Sequence, residues 1–162
     1  LAYVNRDGSQ VAFSAAGLAV VQDNSDPTSR TQHYYGEHGD DVLCLAAYPR
    51  KDGSCLLASG EIGKKPCIYL YSWTPDPAAA AGTFSPLCCL SGYHTRGVSQ
   101  LTFSADGNLL FSVGVEYTVA VYNCEAGSKG FGKMVASSQG PKNSKVLHSA
   151  GYGASAGSSA GK

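Results

Sequence analysis

The chain has 162 residues, no net charge at neutral pH, 43% hydrophobic residues and only 15% charged ones. This implies one domain, or part of a larger one, with enough apolar material for a core, and excludes global disorder. No apolar run nears the ~20 residues that span a bilayer, and the neutral balance argues against whole-chain binding to nucleic acid or anionic membrane.

The first 21 residues lack the basic flank, long apolar stretch and cleavage site of a secretory leader. The charge is uneven. Residues 1–124 carry 7 Lys/Arg against 11 Asp/Glu, whereas 125–162 carry 5 Lys and one Glu. An acidic body leads into a basic tail, which reads as a solvated segment.

Helical periodicity is almost absent. In chain order, β-rich runs appear at LAYVNRDGSQVAFSAAGLAVVQD, TQHYYGEHGDDVLCLAAYP, CLLASGE and PCIYLYSW. After TPDPAAAAGTFSP (74–86) come PLCCLSGYHTRGVSQLTFS, NLLFSVG, TVAVYNC and KMVASSQ. Turn signals punctuate them at Arg6-Asp7-Gly8, Lys51-Asp52-Gly53 and Ala105-Asp106-Gly107. The prolines of 74–86 predict an inserted loop outside any ladder. The terminal ASAGSSAGK (154–162) is Gly/Ser/Ala-rich and predicts a disordered tail.

Cysteines stand at 44, 55, 67, 88, 89 and 124. There is no CxxC pair and no Cys/His grouping with zinc spacing. Four lie inside apolar strand-like runs, which predicts buried free thiols in a reducing, intracellular setting.

The strongest signal is an internal repeat. Residues 36–45 and 92–101 both read G-x-H-x-x-x-V-x-x-L, with histidines His38 and His94. Each unit continues into an Asp-Gly turn (Asp52-Gly53, Asp106-Gly107), a small-residue strand (LLASG, LLFSVG) and a strand ending in Tyr71-Ser72 or Tyr122-Asn123. The histidines are 56 residues apart; without the 13-residue insert the spacing is 43. That is the period of a WD40 blade, a twisted four-stranded sheet that must stack on its neighbours to cover its faces. The repeat predicts an all-β chain holding two to three blades of a partial WD40-type β-propeller. His38, Asp52, Gly53, Tyr71, His94, Asp106, Gly107 and Tyr122 take structural positions in it, the histidines supporting a hydrogen-bond network between turn and core. Two or three blades cannot close a ring, and the chain opens on Leu1, so a fragment of a longer chain is expected.

The strings at Gly36–Leu45, Ala58–Ile68 (with GKKP) and Gly92–Gly107 (H-T-R-G-V-S-Q-L-T-F-S-A-D-G) resemble the echinoderm microtubule-associated protein-like family. The similarity covers about residues 1–140, and the opening residues look like the end of that family's HELP segment. The departures are Tyr71-Ser72 and Tyr122-Asn123 in place of Trp-Asp, and Glu116 in place of a turn Asp. The resemblance implies a HELP-like end and first strands over 1–30, blades over 31–73 and 87–124, and a further blade or linker over 125–153. It also implies tubulin or microtubules and other proteins as partners, and a cytoplasmic, cytoskeletal or axonemal (cilium or flagellum) location.

Other chemistry finds no constellation. The strings at 58–65 and 127–134 lack the hydroxyl and following helix of a phosphate loop. No G-x-S-x-G elbow occurs. Asp40-Asp41 reads as a turn cap, and His33, His38, His94 and His148 lack metal spacing. The expectation is a non-enzymatic protein with no cofactor, metal, nucleic-acid, membrane or small-molecule partner. Lys64, Lys65 and Arg96, on predicted loops, are the candidate partner-binding residues. The alternative reading is a generic WD40 scaffold for another intracellular complex.

Overall fold

The computed structural model describes residues 1–76 and 81–140. They form three four-stranded antiparallel sheets and no helix. The first holds β1 (Ala2–Tyr3), β2 (Gln10–Ala15), β3 (Leu18–Asp23) and β4 (Thr31–Tyr35). The second holds β5 (Val42–Pro49), β6 (Cys55–Glu61), β7 (Ile68–Asp76) and β8 (Ala81–Leu90). The third holds β9 (Val98–Phe103), β10 (Leu109–Gly114), β11 (Thr118–Asn123) and β12 (Met134–Gln139). Strand order follows chain order in every sheet. Crossovers 36–41 and 91–97 therefore carry the chain from the last strand of one sheet to the first strand of the next, as in consecutive propeller blades.

Period-two alternation explains the stacking. In β6, Cys55 and Leu57 join a core shared with the first blade, while Leu56 and Ala58 join one shared with the third. Both faces of the strand are covered, so CLLASGE is buried throughout. Strand β7 divides likewise, sending Ile68 and Leu70 to the third-blade side and Tyr71 and Trp73 to the first. The first interface is aromatic: Tyr35 stacks on Tyr71 at 4.3 Å, and Trp73 lies 4.8 Å from Phe84. The Trp73 Nε1–H donates to Gln10 Oε1 (3.1 Å), whose amide donates to Asp23 (2.7 Å). The second interface is mostly aliphatic, built from Leu56, Ile68, Leu70, Val98, Leu101 and Leu110.

Several expectations are corrected. Residues 74–76 and 81–86 are not outside the ladder: they belong to β7 and β8, which pair there, with Thr74 opposite Thr83 and Pro75 opposite Gly82, while 77–80 of the expected loop lie outside the described residues. The prolines are tolerated for identifiable reasons. Strand β6 ends opposite Trp73, so β7 has a partner on one side only beyond it. Pro86 sits on the outermost strand where the register shifts between Leu70 and Tyr71. The opening residues are not a separate segment. Residues 1–35 complete a blade, whose last strand, 31–35, lies in the first sheet rather than in the 31–73 unit. Residues 87–90 likewise belong to the second sheet, and 134–139 close the third rather than start another. The tail 154–162, His148 and the remainder of 125–153 beyond residue 140 lie outside the described residues.

All six thiols are free; Cys55 and Cys124 are buried, Cys44, Cys67 and Cys88 half-buried, and Cys89 exposed.

Candidate functional site

Register fixes which loops share an end of the stack. Val42 opens β5 opposite Glu61, and Val98 opens β9 opposite Gly114. Crossovers 36–41 and 91–97 and turns 62–67 and 115–117 therefore meet at one end. Histidine pins each crossover to its blade. His38 Nδ1 lies 2.9 Å from Glu61 Oε2, and Nε2 lies 2.5 Å from Ser59 Oγ. Burial lowers the His38 pKa, with Glu61 opposing the shift. The neutral ring donates from Nδ1 to Glu61 and accepts the Ser59 hydroxyl at Nε2. Glu61 also accepts the N–H groups of Gly39 and Cys67, both at 3.0 Å, tying crossover and turn to the end of β6.

The third blade reaches the same result with other residues. His94 Nε2 lies 2.7 Å from Ser112 Oγ, and Nδ1 lies 2.8 Å from Thr118 Oγ1. The Thr118 hydroxyl in turn donates to Glu116 Oε1 at 3.0 Å, and Glu116 also accepts the Thr95 N–H at 2.8 Å. Burial again lowers the His94 pKa against Glu116. Tyr71 faces Ser59 and Tyr122 faces Ser112, and burial raises both phenols.

Ser59, His38 and Glu61 have the connectivity of a nucleophile–base–acid relay. Ser59 is 0% exposed and the His38 side chain is 0% exposed, so no substrate carbonyl reaches the hydroxyl. The arrangement holds backbone in place.

The Asp-Gly turns lie at the opposite end. Asp52 accepts the Ser54 N–H (2.9 Å) and hydroxyl (2.7 Å), with Gly53 at φ +87°. Asp106 accepts from Ser104 and Asn108, with Gly107 at φ +73°. Asp40 and Asp41 are exposed on the first crossover, and Asp40 accepts the Asp41 N–H at 2.9 Å.

The three candidate partner-binding cations are exposed and come together. The Gly63 N–H donates to Arg96 O at 3.1 Å and Ile62 bridges to Gly97, which seats the Lys64-Lys65 turn beside the Arg96 crossover. Ser59, Glu61, Ser112 and Thr118 are the residues that the sequence reading missed. The aligned serines of LLASG and LLFSVG were the available signal. Among the described residues no group of His, Cys, Asp and Glu could hold a metal ion, and no helix is long and apolar enough to cross a membrane.

Three such stacked sheets define blades of a partial WD40-type β-propeller. The described fold superposes on a propeller chain in the crystal structure of the mitotic checkpoint complex with a TM-score of 0.59 and 20% identity. The match covers 83% of this chain and 35% of that one. In sequence, the chain is 31% identical over 86 residues to WD repeat-containing protein 55 of Danio rerio, a stretch covering 53% of this chain. Over that stretch the chain is similar to a WD-repeat protein, and the stretch spans only 20% of the relative's length. No family model matches it.

Proposed function

We propose that the chain is a non-enzymatic WD40 scaffold segment that docks protein partners on its crossover face in an intracellular complex. The observation that carries this reading is the backbone bridge between the 62–67 turn and the 91–97 crossover, which groups Lys64, Lys65 and Arg96 on rigidly held loops. A structural neighbour that belongs to a multiprotein assembly supports protein partners in general. Proximity labelling from the full chain, compared with a Lys64→Ala/Lys65→Ala/Arg96→Ala variant, tests it. Loss of a discrete neighbour set in the variant is expected; an unchanged set would sink this docking face.

The narrower reading is microtubule association in the cytoskeleton or a ciliary or flagellar axoneme. It rests on the H-T-R-G-V-S-Q-L-T-F-S-A-D-G string and on cations grouped as an acidic tubulin surface would require. Co-sedimentation with polymerised microtubules across a salt series decides it. Pelleting that weakens with salt and with the triple substitution supports this reading, and no pelleting at low salt leaves the general scaffold.

A further inference from the structure

The end opposite the crossovers carries a second feature. The β1–β2 and β5–β6 turns of neighbouring blades border a cleft of ≈ 200 Å³. Arg6 lines it from the first blade and Arg50 and Lys51 from the second, with Pro49 beside them. Among the described residues none of these three cations forms an ion pair; the only pairs there are His38–Glu61 and His94–Glu116. The nearby carboxylates are engaged locally. Asp7 accepts the Ser9 N–H and hydroxyl, both at 2.8 Å, and Asp52 accepts those of Ser54. Neither lines the cleft, and Arg50 acts on Asp52 only through space. The polar lining residues Asn5 and Ser54 are also committed within their own turns. The cations are not a consequence of the repeat, because the matching third-blade turn, Ser104–Asn108, has none.

We infer that this cleft binds the phosphate of a phosphorylated side chain presented by a partner protein. Two planar guanidinium forks and an ammonium offer more N–H donors than the two oxygens of a carboxylate can accept, whereas the three terminal oxygens of a phosphate can engage all three cations. The volume lies below the roughly 300–1,000 Å³ of small-molecule pockets, so it suits one phosphate rather than a nucleotide. Half-buried Pro49 offers apolar surface to the carbon stem of phosphoserine or phosphothreonine, which free phosphate lacks. The site lies at the other end of the stack from the proposed docking face and does not depend on it.

The test is fluorescence anisotropy on the full chain with a labelled Gly-Ala-phosphoSer-Ala-Gly peptide, its unphosphorylated form and inorganic phosphate as competitor. Saturable binding of the phosphopeptide alone is expected, displaced by excess phosphate and weakened at least tenfold by Arg6→Ala or Lys51→Ala. Both side chains are exposed, and an unchanged melting curve checks that each variant is folded. Lys64→Ala/Lys65→Ala, at the far end, leaves the affinity unchanged. Absence of saturable peptide binding, equal binding of the unphosphorylated peptide, or equal loss in the Lys64/Lys65 variant overturns the inference. Phosphate binding without peptide binding overturns the partner-protein source.

Discussion

The second and third blades solve one problem with different residues. Both must fix a crossover against the end of a central strand, and both use a buried histidine over a serine. In the second blade the acid is Glu61, the last residue of β6. In the third blade the equivalent position is Gly114, and a Cβ there would lie 2.5 Å from Thr118 Oγ1 and 2.6 Å from His94 Nδ1. The following turn fills that space instead. It passes through Tyr117 at φ +69° and brings Glu116 and Thr118 back to the histidine. The role is set by position in the blade, and the residue that fills it can come from either side of a turn. The two acids also differ in exposure: the side chain of Glu61 is 7% exposed and that of Glu116 is 14%.

The difference predicts unequal costs. His38→Ala takes the ring donor from the buried Glu61 carboxyl group, which keeps only the Gly39 and Cys67 N–H donors, and is expected to cost about 3 kcal/mol or more. His94→Ala leaves neutral hydroxyls, which can turn to Glu116 and to the Ala120 carbonyl, and is expected to cost about 2–3 kcal/mol. Denaturant midpoints of the two variants rank them; a larger loss at His94 contradicts the asymmetry. Gly114→Ala sharpens the same point. Its methyl group has no room, so about 1–3 kcal/mol of overpacking is expected, whereas Ala at a merely flexible site would be neutral.

Acid should weaken both staples. Each histidine has a folded pKa below its ordinary value of 6.5, so both are neutral in the fold. Above pH 6.5 neither folded nor unfolded histidine is protonated, and the full stability is present. As pH falls below 6.5 the unfolded chain takes up protons first, and stability is lost until the lowered folded pKa is passed, by up to about 1.4 kcal/mol per pH unit for each ring. Denaturant midpoints between pH 8 and 5 measure this. The His38→Gln/His94→Gln pair should flatten the slope, and stability that rises on acidification contradicts it.

The histidines were legible in the sequence because G-x-H recurs at a fixed distance before a strand. Of their acids, Glu116 was read as the turn acid, but Glu61 was not, because the two fall at different places in the repeat and only the fold brings them to the same spot. The first blade was half legible: Asp7-Gly8 marks its turn, but the blade lacks the G-x-H signature and so read as flanking sequence. The pairing of 74–76 with 81–83, and of Tyr71 with Pro86, was misread because the proline rule assumes two ladder neighbours. Pro75 lies beyond the end of β6 and Pro86 on the outer strand, which no local pattern reveals. The interface between the first two blades was equally hidden, since Gln10 and Trp73 are 63 residues apart. Gln10→Ala strips the buried indole N–H of its acceptor and should cost about 1–2 kcal/mol by denaturant unfolding. A cost near zero would mean that the aromatic stack alone holds that interface.

The smallest effects are expected at the Asp-Gly turns, where the comparison between blades can be made with solvent-exposed groups. Asp106 accepts three hydrogen bonds, from Ser104 Oγ at 2.6 Å and from Asn108 N and Nδ2 at 3.0 Å, whereas Asp52 accepts two from Ser54. Those bonds hold both carboxyls below their ordinary 3.8. A lowered folded pKa means stability that is present above 3.8 and lost as pH falls through the lower folded value. Asp106→Ala should therefore lower the melting temperature slightly more than Asp52→Ala at neutral pH. Both variants should converge on the parent below the carboxylate range, where the parent's own carboxyls are protonated. Melting curves at neutral and strongly acidic pH make the comparison. A difference that persists in acid would assign the effect to packing around Gly107, whose turn lies against Tyr48 of the neighbouring blade, rather than to charge.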